Sequence, residues 1–229
     1  MLVLAGGLGT RLRTAVADVP KPMAPVSGKP FLEYLLDHWI GEGVRRFVLS
    51  TGYLGHIIEN HFGNGYRGAS IDYVREPLPL GTGGALRLAL ATTDWSGRSI
   101  LMANGDTWFP VSLDQFHRDA LHLKADITLA LKHVGSNDRY GGVKVSATGS
   151  ISSFSEKLQG SGLINGGCYL LDTPAFATIL SPLPERFSLE REVFPGLIPS
   201  GKIGSSIQDK PFLDIGIPED YRRASKFFI

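Results

Sequence analysis

The sequence predicts an α/β fold with a Rossmann-like, mostly parallel central sheet flanked by helices. Up to residue 134, short apolar runs alternate with amphipathic stretches, the pattern of parallel strands joined by helices. A glycine-rich loop cuts the first apolar run short. From about residue 140 the pattern changes to alternating residues and turns, which predicts an antiparallel layer added over the sheet.

In the first part of the chain, strands are expected over residues 1–5, 45–53, 69–77, 99–108 and 126–134. Helices are expected between them, over residues 31–43, 54–63, 81–92 and 112–125. The first helix has a clear helical period, with apolar residues at Phe31, Leu32, Leu35, Leu36, Trp39 and Ile40. The second helix stops at Gly63, as helix C-termini commonly do.

The second part is expected to hold a hairpin over residues 140–157, with its turn near Thr148 and Gly149. A strand over 162–172 and a short helix over 173–180 follow, then a late strand or hairpin over 202–216. The chain closes with a helix over 218–228 that starts at a proline, a residue favoured at the first helical position.

Composition limits the classes of protein that this chain can represent. A length of 229 residues suits a single domain, 1–229, and the net charge of +1 gives no general attraction to nucleic acid or a membrane. We expect a cytoplasmic protein, because the sequence shows neither a membrane-length apolar run nor a signal peptide. The six histidines form no metal-ligand pattern, and the single cysteine, Cys168, lies in an apolar strand where burial is more typical than catalysis.

The loop after the first strand reads LAGGLGTRLRTAVADVPKP, residues 4–22. Glycines let backbone N–H groups approach a ligand closely and cradle phosphate, and Arg11, Arg13 and Lys21 add positive charge. Leu12 stands where the dinucleotide fingerprint needs its third glycine, and the loop lacks the Gly-Lys-Ser/Thr of a P-loop. A glycine-rich turn with solvated arginines is the alternative interpretation.

The glycine loop, the arginine and the Pro-Lys-Pro, in this order, resemble the N-terminal signature of the sugar nucleotidylyltransferases. Further matches are PLGTGGAL, NGD, SEK, INGGCYLL, SLEREVFP and FLDIGIPEDY, so the resemblance covers nearly the whole chain. Residues 13–34 look most like the bacterial heptose 1-phosphate guanylyltransferase branch. The resemblance implies the nucleotide-diphospho-sugar transferase fold, and an enzyme that joins a sugar 1-phosphate to a nucleoside triphosphate and releases pyrophosphate.

The resemblance also implies roles for individual residues. Arg11 would contact the β- and γ-phosphates, and Lys21 the attacking and α-phosphates, while Asp106 and Asp214 would hold one Mg²⁺ ion. Residues 1–139 would mainly bind the nucleotide, through Leu4, Ala5, Gly6, Gly7, Gly9, Thr10, Glu76, Gly81 and Thr82. Residues 140–229 would mainly bind the sugar phosphate, through Gly141, Glu156, Lys157, Asn165 and Gly166, although Leu158 replaces the proline usual after the Glu-Lys pair.

Glu76 aligns with a position that reads the base edge, and a carboxylate can accept the two adjacent donors of guanine. A solvent-facing glutamate at a strand end is the alternative. The expected partners are GTP and a sugar 1-phosphate, with D-glycero-α-D-manno-heptose 1-phosphate favoured by the branch resemblance and a homo-oligomer left open. A mannose 1-phosphate guanylyltransferase and a glucose 1-phosphate uridylyl- or thymidylyltransferase are alternative enzymes. A catalytically silent regulator that binds a nucleotide or a sugar is an alternative of another class. An NAD-dependent oxidoreductase is disfavoured by the failed fingerprint at Leu12.

Overall fold

A ten-stranded sheet forms the centre of the molecule, and helices pack on both of its faces. The computed structural model describes residues 1–12, 15–95, 97, 99–135, 140–155 and 160–228. Arg13, Glu156 and Lys157, three of the residues considered above, lie outside these ranges.

The strands of the described chain are β1 Leu2–Leu4, β2 Pro25–Val26, β3 Lys29–Pro30, β4 Arg46–Thr51, β5 Gly65–Tyr66, β6 Ala69–Arg75, β7 Ser99–Asn104, β8 Thr107–Trp108, β9 Ile127–Val134, β10 Gly142–Val145, β11 Ile151–Ser155, β12 Gly162–Asp172, β13 Ile203–Ile207 and β14 Leu213–Asp214. The helices are α1 Phe31–Gly41, α2 Gly55–Phe62, α3 Gly81–Thr92, α4 Leu113–Leu123, α5 Thr173–Leu180, α6 Phe194–Leu197 and α7 Pro218–Ala224. A π-helix, Leu189–Val193, precedes α6, and short 3₁₀ turns cover Lys21–Met23 and Ile198–Ser200.

Four parallel strands lie in the order β7-β1-β4-β6, so the first strand of the chain has β4 on one side and β7 on the other. Strands β4 and β6 therefore lie on one side of β1, and the next parallel strand along the chain, β7, lies on the other side of β1. In open α/β sheets, ligands bind in the crevice at the carboxyl ends of strands where the order reverses in this way. The fold thus predicts a binding site beyond Leu4 and Asn104.

The antiparallel strands extend this sheet at the β7 edge. Strand β12 pairs with β7 over its second half, with β10 near its start and with β9 along its other edge. The register of β12 shifts between Asn165 and Tyr169, where Gly167 adopts a φ of +72°. This irregularity separates the part of β12 that pairs with β10 from the part that pairs with β7. The antiparallel strands are therefore hydrogen-bonded beside the parallel strands within one sheet.

The segment 202–216, expected as a strand or a hairpin, forms two separate strands. Strand β13 pairs in parallel with β9, whereas β14 pairs antiparallel with β8 in a small separate ribbon. The hairpin alternative is therefore wrong, because each strand finds a partner distant in sequence. The ribbon places Asp214 opposite Thr107, directly after Asp106.

The alternation of side chains along the strands divides the core between the two faces of the sheet. One face carries Val3, Phe47, Leu49 and Ala103 against helices α1, α2, α4 and α7. The other carries Leu2, Val48, Val74 and Met102 against α3, α5 and α6. Among the described helices, none combines the length and the apolar character that a membrane crossing requires.

Candidate active site

A crevice of about 440 Å³ opens at the carboxyl ends of the parallel strands. All nine residues expected to bind the nucleotide line it, as do Arg11, Lys21 and Asp106. The remaining lining residues are Leu8, Pro22, Pro79, Ala85, Asn104 and Gly216. The structure therefore brings together, at the predicted switch point, four parts of the chain that are far apart in sequence: residues 4–22, 76–85 and 104–106, and Gly216.

Two glycines of the loop have a structural reason, a close contact at Gly6 and a left-handed backbone at Gly9. A Cβ on Gly6 would lie 2.3 Å from Glu76 Oε1, and Gly9 has a φ of +57°, a conformation that favours glycine. The N–H of Ala5 donates to the carbonyl of Ser50 at 2.8 Å, which continues the β1–β4 pairing to the start of the loop. The loop begins from a rigid strand edge and runs along the crevice wall.

Lys21 lies between the two carboxylates expected to bind metal. Its Nζ is 2.5 Å from Asp106 Oδ2 and 3.7 Å from Asp214 Oδ1, and its side chain is only 10% exposed. Asp106 is positioned by the turn after β7, where Gly105 N–H donates to the carbonyl of Leu4. Oδ1 of Asp214 also accepts the N–H of Gly216 at 2.7 Å. The fold thus brings Lys21, Asp106 and Asp214 together.

This arrangement fits a hard divalent cation. Asp106 and Asp214 direct carboxylate oxygens toward one point beside the crevice, where the Lys21 ammonium now provides the positive charge. Carboxylate oxygens are the ligands that such cations prefer, and Mg²⁺ typically takes only one or two of them from the protein. Within the described ranges, no cluster of three or more His, Cys, Asp or Glu residues forms a self-sufficient metal site. Substrate phosphates would have to complete the coordination.

Glu76 lines the crevice, and its carboxylate lies against Gly6. Its Oε1 accepts the hydroxyl of Ser50 at 2.8 Å, and its Oε2 accepts the N–H of Leu80 at 3.0 Å. Glu76 is half-buried and belongs to the crevice lining, in contrast to the solvent-facing alternative considered for it.

Gly81 and Thr82 begin helix α3 on the opposite wall. Gly81 has a φ of +75°, and a Cβ there would lie 2.5 Å from the carbonyl oxygen of Phe187. The hydroxyl of Thr82 donates to Glu190 Oε2 at 2.6 Å and accepts the N–H of Leu189 at 2.9 Å. This wall is therefore tied to the π-helix of the second half of the chain.

A hydrogen-bonded network joins that wall to the strand expected to bind sugar. Asn165 Nδ2 donates to the hydroxyl of Tyr169 at 2.9 Å, and this hydroxyl donates to Glu190 Oε1 at 2.8 Å. Burial and the nearby Glu190 carboxylate raise the pKa of Tyr169 well above its ordinary value, so it stays a neutral donor. The network links Asn165 on β12 to Thr82 on α3 through Glu190.

The other residues expected to bind the sugar phosphate are placed less fully. Gly166 lies against the Phe109 ring, which a Cβ would approach to 2.4 Å, and Gly141 is exposed directly before β10. The Glu156–Lys157 pair lies outside the described residues.

Sequence reasoning assigned no role to Ser50, Tyr169 or Glu190. Glu190 lies within the SLEREVFP stretch that contributed to the resemblance, which was a usable signal. Ser50 and Tyr169 belong to apolar strands, and their hydrogen bonds are made to distant residues. Cys168 is buried as expected, and burial raises the pKa of its thiol to about 12, which disfavours the nucleophilic thiolate form.

The fold and the crevice define an α/β protein with a glycine loop, a lysine, an arginine and two carboxylates grouped at the carboxyl ends of its parallel strands. The chain belongs to the nucleotidyl transferase family, which it matches over residues 1–229. It is 42% identical over 226 residues to a D-glycero-alpha-D-manno-heptose 1-phosphate guanylyltransferase of Aneurinibacillus thermoaerophilus, covering 98% of this chain and 96% of that protein.

A protein of the same description from Campylobacter jejuni is 38% identical over 221 residues, covering 96% of each chain. The crystal structure of HddC from Yersinia pseudotuberculosis complexed with GMP-PN superposes with a TM-score of 0.86 at 33% identity, covering 100% of this chain and 98% of that one. The expected fold and the resemblance to sugar nucleotidylyltransferases are both confirmed.

Proposed function

We propose that the protein transfers GMP from GTP to D-glycero-α-D-manno-heptose 1-phosphate, giving GDP-heptose and pyrophosphate. The observation that carries this proposal is the position of Lys21 Nζ between Asp106 and Asp214, beside the glycine loop. The heptose enzymes reported above, similar over almost their whole length, support the choice of substrates.

The reaction needs no protein nucleophile. An oxygen of the sugar 1-phosphate forms a bond to the α-phosphorus of GTP while the bond from that phosphorus to the β-phosphate bridging oxygen breaks. The difficulty is electrostatic, because two polyanions must approach each other and a pyrophosphate must leave. In our proposal Lys21 neutralises the attacking and α-phosphates, Arg11 holds the departing β- and γ-phosphates, and backbone N–H groups of the glycine loop orient the triphosphate.

Asp106 and Asp214 would hold the metal ion in this scheme. The family relation supports a divalent cation, and we propose Mg²⁺ because both protein ligands are carboxylates. When bound, Mg²⁺ would stabilise negative charge on the phosphate oxygens during transfer. Lys21, now paired with these carboxylates, would turn its ammonium group toward the phosphates once they enter.

The base would be read by Glu76. Guanine presents N1–H and the 2-amino group side by side, and each oxygen of a carboxylate can accept one of them. Both oxygens of Glu76 already accept one protein donor, which leaves acceptor capacity on each. The GMP-PN complex of HddC supports a guanine nucleotide in this fold.

The sugar phosphate would bind along β12 and the start of β10, near Asn165, Gly166 and Gly141, with Glu156 and Lys157 as further contacts. Residues 1–139 would thus serve mainly the nucleotide and residues 140–229 mainly the sugar phosphate. We place the reaction in the cytoplasm, with small molecules as the only required partners. The alternative substrates, mannose or glucose 1-phosphate, have less support because the relatives reported above are heptose enzymes.

The test is a coupled pyrophosphate assay over a matrix of four nucleoside triphosphates and three sugar 1-phosphates, those of heptose, mannose and glucose. We expect GTP with the heptose 1-phosphate to give the highest kcat/KM, and Lys21→Met to abolish most of this activity. Preference for UTP or dTTP would contradict the guanine assignment. Nucleotide binding without pyrophosphate release from any pair would favour the catalytically silent regulator.

A further inference from the structure

The carboxylate of Glu76 is held by protein donors at both of its oxygens. Ser50 Oγ donates to Oε1 at 2.8 Å, and the backbone N–H of Leu80 donates to Oε2 at 3.0 Å. The backbone of Glu76 is held as well, because its N–H donates to the carbonyl of Thr51 at 2.7 Å. Strand β4 and the start of helix α3 therefore fix both the position of Glu76 and the plane of its carboxylate.

Ser50 is an unusual residue for its place in the sheet. It is fully buried in β4, paired with Leu4 of β1 and with Val74 of β6. Val48, which shares its face of the strand, belongs to the apolar core against α3. A buried hydroxyl in an apolar row costs free energy unless it is hydrogen-bonded, and the hydroxyl of Ser50 is bonded to Glu76. This bond gives a reason for a serine at a position where its neighbours are aliphatic.

Gly6 lies against the Glu76 carboxylate on the side of the glycine loop. A Cβ at Gly6 would come within 2.3 Å of Oε1, the same oxygen that accepts the Ser50 hydroxyl. Oε1 therefore lies between the Ser50 hydroxyl and the backbone of the glycine loop.

We propose that Ser50 is a positioning residue for nucleotide selection, whose hydroxyl holds the Glu76 carboxylate in the orientation that accepts the two donors of guanine. This inference rests on the base-reading role proposed for Glu76. Each carboxylate oxygen has two lone pairs, and the protein uses one on each through Ser50 and Leu80. The remaining pair on each oxygen is left for N1–H and the 2-amino group of the base.

Loss of the Ser50 hydroxyl would free the Glu76 carboxylate to rotate. The resulting change in kcat/KM would depend on the base. GTP offers two donors to the carboxylate, whereas ITP offers only N1–H and ATP places a ring-nitrogen acceptor beside its amino group. A correctly oriented carboxylate favours GTP over both, because the second oxygen is satisfied only by the 2-amino group. The ratio of kcat/KM for GTP to that for ITP therefore measures how well Glu76 is positioned.

The experiment compares Ser50→Ala with a matched pair, Ser50→Thr and Ser50→Val. Threonine and valine have nearly equal volume, but threonine carries a hydroxyl where valine carries a methyl group. We expect the GTP-to-ITP ratio to fall about five- to tenfold in the alanine and valine variants, as for the loss of one ordinary hydrogen bond. The threonine variant should stay within about twofold of the wild-type ratio. The KM of the sugar 1-phosphate should not change. A general loosening of the site would change this KM as well.

A double variant tests whether Ser50 acts through Glu76. Glu76→Gln alone should lower the GTP-to-ITP ratio, and adding Ser50→Ala to it should lower the ratio little further, because the two changes remove the same contact. Additive effects of the two substitutions would overturn the inference. Thermal melting of each variant shows whether it is folded, and if the valine variant is not, the alanine and threonine variants give the same comparison.

The outcomes separate this inference from the proposed function. An unchanged ratio in Ser50→Ala, together with a lowered ratio in Glu76→Gln, overturns the role of Ser50 alone. An unchanged ratio in Glu76→Gln overturns the base contact and the role of Ser50 with it. A wild-type enzyme that does not prefer GTP contradicts the proposed function itself.

Discussion

Lys21 Nζ lies 2.5 Å from Oδ2 of Asp106, although the two residues are separated by 85 positions in the sequence. The contact joins the end of the glycine loop to the end of β7, across the point where the order of the parallel strands reverses. The lysine side chain is mostly buried, so its charge is screened little by solvent. In the proposed reaction, this pair would place a cation and a carboxylate where the phosphates of the nucleotide meet the phosphate of the sugar.

Replacing Lys21 by methionine should lower kcat strongly while the fold survives. Methionine keeps most of the length and the apolar stem but removes the charge that, in our proposal, stabilises the transferred phosphate. A loss on the order of 100- to 1,000-fold is expected for one preorganised electrostatic group. Pyrophosphate release at saturating substrates is the measurement. Near wild-type turnover in the purified variant would show that Lys21 does not contact the reacting phosphates.

Asp214→Asn should raise the Mg²⁺ concentration needed for half-maximal activity by more than about tenfold, because one of two carboxylate ligands is lost. Titration of Mn²⁺ binding in the presence of GTP gives a readout that does not depend on turnover. Asp209→Asn is the control on the same segment, since Asp209 is fully exposed and pairs with Lys132. Equal metal requirements for the two variants would remove Asp214 from the metal site.

Gly6→Ala should impair nucleotide binding without unfolding the protein. The added methyl would meet Glu76 Oε1, the end of a flexible side chain, so the carboxylate is displaced and the backbone is not. We expect the KM for GTP to rise about tenfold or more. Gly41→Ala is the control: a Cβ there has nothing within 4 Å, and alanine favours the helix that this residue ends. A normal KM for GTP in Gly6→Ala would show that the position of Glu76 does not matter.

Local patterns predicted most of the elements, and the family resemblance named most of the residues that line the crevice. The glycine loop and the NGD turn are contiguous in sequence, and both follow apolar strands, so their place at one edge of a parallel sheet could be inferred. Pairing between distant segments could not be inferred in the same way. Of the strand or hairpin expected over residues 202–216, the hairpin alternative was wrong, because β13 and β14 pair with β9 and β8, and period-two alternation does not specify a partner.

Ser50 and Glu190 illustrate a second limit. A serine in a buried strand has the same local sequence pattern whether or not its hydroxyl has a function. The residue that accepts the Ser50 hydroxyl lies 26 positions away in the sequence. Glu190 accepts the Thr82 hydroxyl 108 positions upstream, from within a π-helix that no sequence pattern indicated. Polar contacts between distant residues depend on the packing of whole elements, which short-range patterns do not encode.

Cys168 should be inert toward thiol reagents in the folded protein. Burial disfavours the charged thiolate and raises the pKa to about 12, so at pH 8 only about one thiol in ten thousand would be ionised, and that thiol is also shielded from solvent. Absorbance after addition of a disulfide reagent should show no reaction in buffer and one thiol per chain in denaturant. Cys168→Ala should retain activity. Rapid labelling of the native enzyme with loss of activity would contradict this placement.

The network centred on Tyr169 should matter more for the sugar phosphate than for the nucleotide. Tyr169→Phe removes a buried hydroxyl that accepts from Asn165 and donates to Glu190, leaving both partners short of one hydrogen bond. The free energy of unfolding should fall by about 1–3 kcal/mol, measured with urea. The KM for the sugar 1-phosphate should rise more than that for GTP, because Asn165 lies on the strand proposed to bind the sugar.

Tyr73→Phe provides the matched comparison, because the hydroxyl of Tyr73 donates to the carbonyl of Gly63 at an exposed site. Water can replace that hydrogen bond, so the loss of stability should be below about 1 kcal/mol and neither KM should change. If both tyrosine variants lost the same stability and kept normal KM values, the Tyr169 network would be only a feature of the core. A selective rise in the KM of the sugar phosphate in Tyr169→Phe would instead place this network in the acceptor site, since a general loss of packing would affect both substrates.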